Sequence, residues 1–62
     1  MSGFIIYFTF KDNAYCEMYN GTIKFWAGYG VPDYEGGFEG FDTLYPKHMQ
    51  ELIDNGIIVR TE

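Results

Sequence analysis

One cysteine, Cys16, and one histidine, His48, are the only residues of their types in the chain, and they bound its chemistry. Zinc sites draw on about four Cys or His ligands in close pairs, so one of each cannot supply one. A cysteine nucleophile would need His48 beside it and a third group to orient the ring. The local pattern argues against this pair. Cys16 falls on the side of an alternating stretch that reads as core, where a free thiol behaves as a small hydrophobe, and His48 follows Lys47 as an exposed helix residue. Asp33, Glu35, Glu39 and Asp42 raise the question of calcium, but Gly37 and the acidic spacing break the EF-hand ligand pattern. Gly36, Gly37 and Gly40 carry no Gly-Lys-Ser/Thr triplet and no dinucleotide fingerprint, so they read as turn formers. The expectation is a protein that is not an enzyme and takes no cofactor and no metal.

What remains is charge and aromatic surface. The segment from Gly28 to Tyr45 holds five glycines, four carboxylates and five aromatic rings, with no lysine or arginine. Exposed rings are costly unless something covers them, so this segment either wraps the core or meets a partner. The net charge of −5 and a pI near 4.5 point the same way. Lys11, Lys24, Lys47 and Arg60 are scattered, which disfavours direct nucleic-acid binding and anionic membranes and favours a protein partner with a basic surface. The residues expected to make that contact are Asp33, Tyr34, Glu35, Phe38, Glu39 and Asp42, with Tyr15, Tyr19 and Trp26 as aromatic anchors. Phe41 and Leu44 read instead as core plugs.

These residues must be positioned by a single domain spanning residues 1–62, close to the lower size limit for folding without a metal or disulfide. The lone cysteine fits a reducing, cytoplasmic setting. Phe4 to Phe8 is apolar, but no basic region precedes it and Lys11-Asp12 follow too soon for a membrane span, so a soluble chain is expected.

Phe4 to Lys11, Ala14 to Tyr19 and Thr22 to Ala27 read as strands. Asn20-Gly21 predicts a type I′ turn that sets Glu17 opposite Lys24 and Cys16 opposite Phe25. A three-residue loop at Lys11, Asp12 and Asn13, with Asn13 left-handed, puts Phe8 opposite Cys16 and Ile6 opposite Met18, keeping one apolar face. That face is Phe4, Ile6, Phe8, Phe10, Ala14, Cys16, Met18, Ile23, Phe25 and Ala27. The other carries Ile5, Tyr7, Thr9, Tyr15, Glu17, Tyr19, Thr22, Lys24 and Trp26. Thr43 to Asn55 predicts one helix with Tyr45, Met49, Leu52 and Ile53 on its apolar stripe, capped by Asp42 or Thr43 and stopped at Asn55-Gly56. Ile57 to Arg60 predicts a short strand beside the first. The expected fold is α+β: a small three-stranded antiparallel β-meander, one helix packed on one face and a C-terminal strand, in the order β-β-β-α-β.

Small, acidic, aromatic and without an enzymatic motif, the chain resembles in gross character the inhibitor proteins that bacteriophages encode against host enzymes or defence complexes. The resemblance is one of size and composition. It implies a binding protein that inhibits or modulates a nucleic-acid-handling enzyme or defence complex by occupying its basic surface. Two other classes are open: a self-associating structural module, a homodimer through the aromatic sheet face, and a small-ligand or nucleotide-binding module that uses the Tyr/Trp face.

Overall fold

In the computed structural model, which describes residues 5–59, four strands are followed by two helices. Strands β1 (Ile6–Thr9), β2 (Tyr15–Tyr19), β3 (Thr22–Trp26) and β4 (Tyr34–Gly37) form one antiparallel sheet in the order β1-β2-β3-β4. Helices α1 (Phe38–Leu44) and α2 (Pro46–Asp54) complete an α+β domain. Turn chemistry sets the register. Asn20 and Gly21 have φ of 54° and 81°, the conformation a type I′ turn requires, and Glu17 pairs with Lys24 and Cys16 with Phe25. Asn13 has φ of 73° and closes the first hairpin, where the Phe10 N–H donates to Ala14 O at 2.7 Å. Phe8 consequently faces Cys16, and Ile6 faces Met18.

Both helices lie on the apolar side of the sheet. Phe10, Ala14, Cys16, Met18, Ile23 and Phe25 are buried there against Phe41 of α1 and Met49 and Leu52 of α2. Each large apolar side chain taken out of water contributes about 1.5–3 kcal/mol before ordering costs. Phe25 is the hub, with ring centroids of Phe10, Phe41, Tyr45 and His48 between 4.7 and 5.7 Å away.

Several sequence expectations are corrected. The fourth strand is β4, inside the glycine-rich segment, and it pairs with β3. Residues 57–59 form no strand; Arg60 lies outside the described residues. The reason is the end of α2. The Gly56 N–H donates to Ile53 O and the Ile57 N–H to Leu52 O, a Schellman closure with Gly56 at φ of 74°. The cap therefore uses the amide with which a strand would begin. The expected single helix is two. Tyr45 precedes Pro46 and takes φ of −132° and ψ of 63°, since a residue before proline is pushed out of helical geometry. Neither Asp42 nor Thr43 caps a helix start: both lie inside α1, whose N-cap is Gly37, and Pro46 occupies the first turn of α2.

The predicted core is also trimmed at its edges. Ile6 is 41% exposed because the helices do not reach β1, and Phe8 is half-buried. Ala27 is exposed because β3 ends at Trp26 and the chain turns away. Leu44, expected in the core, is 62% exposed at the end of α1. Phe4 lies outside the described residues.

Candidate functional site: the uncovered sheet face

Alternation along the strands sends a second set of side chains to the face opposite the helices. One row across the sheet runs Tyr7, Glu17, Lys24 and Glu35, and the next runs Thr9, Tyr15 and Trp26. Tyr7 stacks on Tyr15 with centroids 6.3 Å apart, and Tyr15 leans on Trp26 at 5.5 Å. The three rings thus make a continuous aromatic strip over β1, β2 and β3. Tyr7 is 60% exposed and Tyr19 45%, while Tyr15 and Trp26 are half-buried.

Polar groups fix the strip. The Tyr15 hydroxyl donates to Glu17 Oε2 at 3.1 Å, and its pKa is raised, first by burial and then by that carboxylate. Lys24 Nζ lies 4.0 Å from Glu35 Oε2, and both groups are exposed. An ion pair of this kind is worth only about 0–1 kcal/mol, so a partner can compete for either member.

The loop between β3 and β4 extends the strip. Trp26 Nε1 donates to Gly30 O at 3.1 Å, which holds residues 28–31 beside the indole. Asp33 closes the loop base, its carboxylate accepting from the Ala27 N–H and its own N–H donating to Phe25 O, each at 2.7 Å. Gly30 has φ of 102°, which a side chain would resist. Tyr29 and Val31, at the loop tip, are fully and 81% exposed. Neither belongs to the contact set expected from the sequence. The signal was the Gly28-Tyr29-Gly30 spacing, a ring between two residues that cannot cover it.

The sequence-derived contact set is divided among three places. Tyr15, Tyr19, Trp26 and Glu35 share the open face. Tyr34 and Phe38 pack against the core, and the Tyr34 ring lies 5.8 Å from Phe41 and 6.3 Å from Tyr45, with its hydroxyl donating to Gly37 O at 2.7 Å. Asp33, Glu39 and Asp42 lie off the face, in the loop base and in α1. His48, expected on the helix exterior, instead packs its ring near-perpendicular to Phe10 and tilted on Phe25, each at 4.8 Å. Spacing three residues after Tyr45 and four before Leu52 places it on the apolar stripe.

Cys16 is fully buried, and burial followed by the Glu17 charge pushes its thiol pKa up to about 12. That is the environment of a packing residue, not of a nucleophile. Among the described residues, no group of three or more His, Cys, Asp or Glu side chains could hold a metal ion. No helix among them is long and apolar enough to cross a membrane. A shallow depression of about 170 Å³ on the open face is lined by Ile5, Glu17, Tyr19, Thr22 and Lys24. Small-molecule sites begin near roughly 300 Å³. No family model matches the chain, and neither the curated proteins nor the solved structures contain a significant match.

Proposed function

We propose that this is a small binding protein whose open sheet face, with the Tyr29–Val31 loop tip, docks on a basic surface of a nucleic-acid-handling protein and modulates it. The observation that carries the reading is the strip Tyr7–Tyr15–Trp26, left uncovered by either helix and bordered by Glu17 and Glu35. Tyrosine and tryptophan supply large contact area at small entropic cost, and flanking carboxylates steer the encounter with a cationic surface. The net charge of −5 makes that steering general to the molecule. Inhibition in the manner of phage-encoded antagonists follows if the occupied surface is the one that holds phosphates.

The test is capture of partners from lysate at low and high salt, with Glu17→Lys/Glu35→Lys and Trp26→Ala compared with the wild type. A basic nucleic-acid-binding protein retained by the wild type, lost at high salt and weakened about tenfold or more by either change supports the reading. Retention that ignores both face variants removes it.

A further inference from the structure

The sheet has an unfinished side. Within the described residues β1 pairs only with β2, so its other edge carries unpaired backbone groups. Which residues direct those groups outward follows from the first hairpin. The Phe10 N–H donates to Ala14 O, so Phe10, Phe8 and Ile6 turn their amides and carbonyls toward β2. Ile5, Tyr7 and Thr9 then present theirs to the free edge. Proteins commonly protect such an edge with lysine, proline, a bulge or a covering segment. Ile5 to Thr9 has no charge and no proline, and Ile5, Ile6 and Tyr7 are 42%, 41% and 60% exposed on alternating faces.

We propose that β1 pairs antiparallel with β1 of a second copy about a two-fold axis at Tyr7, joining two four-stranded sheets into one. The choice of occupant rests on charge. Among the described residues every other strand and helix carries at least one ionisable Asp, Glu or Lys, and β1 carries none. In a chain of net charge −5, this element is the one where two copies can approach without opposing like charges. A basic partner would find no complement there. Self-complementarity in residue type points the same way. An axis at Tyr7 sets Ile5 opposite Thr9 and Tyr7 opposite Tyr7, and these outward-facing pairs exchange about six hydrogen bonds. On the helix side it sets Ile6 opposite Phe8 twice, a β-branched residue against a ring, adding cover to Ile6, 41% exposed, and to the half-buried Phe8. On the opposite side the aromatic strips of the two copies meet at Tyr7. The contact is through the edge and not through the open face, so it stands apart from the binding reading above.

The experiment is amide hydrogen exchange by NMR together with sedimentation from micromolar to millimolar protein, on the full chain and on Thr9→Pro. Proline is tolerated at this edge position because the Thr9 N–H points away from β2, and every ring of the open face stays in place. The expected result is a monomer–dimer equilibrium in which amides of Ile5, Tyr7 and Thr9 gain protection with concentration. Those of Ile6 and Phe8 should be protected throughout. Thr9→Pro should raise the dimer dissociation constant at least about tenfold, since the axis places the change at two sites. A strict monomer at millimolar concentration overturns the proposal. So does a dimer that Thr9→Pro leaves intact with the three outward amides unprotected, which would place the interface elsewhere. Protection of those amides in dilute monomer also overturns it, because the chain would then cover its own edge.

Discussion

His48 Nε2 stands 2.8 Å from Asp12 Oδ2, a contact across 36 positions that ties the middle of α2 to the turn between β1 and β2. Asp12 also accepts the Ala14 N–H through Oδ1 at 3.0 Å, and Glu51 of α2 accepts the Lys11 N–H at 2.9 Å. One turn of the sheet and one face of the helix are thereby joined at two points, and the ring of His48 closes the core over Phe10 and Phe25.

The first prediction concerns acid. The Ala14 N–H and then His48 hold the Asp12 carboxyl below its ordinary value of 3.8. A carboxyl lowered in the folded state stabilises above its unfolded pKa, and that contribution disappears as pH falls through the folded one. Asp12→Ala should therefore lower the melting temperature at about pH 7, with the difference shrinking as pH falls below 3.8. Thermal unfolding of both proteins across that range checks it. A gap that persists at the acid end would assign the effect to the turn backbone.

A second prediction follows from Tyr34. Its hydroxyl sits against Gly36 and Gly40, and a Cβ added at Gly40 would overlap Tyr34 Oη, well inside van der Waals contact. Alanine ordinarily stabilises a helix interior relative to glycine by roughly 1 kcal/mol. Here Gly40→Ala should instead destabilise by about 1–3 kcal/mol, because the ring is held between Phe41, Tyr45 and the Gly37 carbonyl. Tyr34→Phe should restore much of that loss in the double variant. Denaturant unfolding of the four proteins closes the cycle, and additive effects would show that ring and glycine are independent.

This crowding also explains what was legible in the sequence. Asn20-Gly21 and Lys11-Asp12-Asn13 set register locally, through backbone conformations only a few residues adopt, and three strands followed from them. Tyr34 to Gly37 has no local strand signal, since two of its residues are glycine. It becomes a strand because Asp33 closes the loop onto Phe25 and Ala27, and because glycines at 36 and 40 leave room for the hydroxyl end of the Tyr34 ring. Tertiary contact outweighed propensity there. Glu35 could be placed beside Lys24 only once that strand was known. The break at Tyr45-Pro46 was readable, because the residue before proline avoids the helix, but the apolar stripe through Tyr45 hid it. Periodicity also placed Met49 and Leu52 in the core while leaving His48 outside, although it shares their face.

The buried thiol gives a third prediction. With Cys16 at about 12 in the folded state, thiol reagents should label it only through unfolding, at a rate that tracks the unfolded fraction. The unfolded thiol ionises at about 8.5, so stability should decline as pH rises from there toward the folded value. Cys16→Ala should flatten that decline, and urea midpoints at rising pH measure it. Fast labelling of the native protein at neutral pH would contradict the packing role.

The last prediction separates surface from core at the two ends of the glycine-rich segment. Phe41 is fully buried against Phe25, Tyr34 and Tyr45, and Phe41→Ala should cost about 3–5 kcal/mol, enough to unfold most of so small a domain. Tyr29 and Val31 project from the loop that Trp26 and Asp33 hold in place, and neither is among the buried residues or those packed against them. Serine at both positions should shift stability by no more than about 0.5 kcal/mol. Partner capture should nonetheless fall, because the aromatic strip loses its exposed extension while its acidic border at Glu17 and Glu35 is unchanged. Melting curves and capture run on the same samples decide it. A double serine variant that melts early would mean the loop tip supports the fold, and one that melts and captures like the wild type would confine the contact to the sheet.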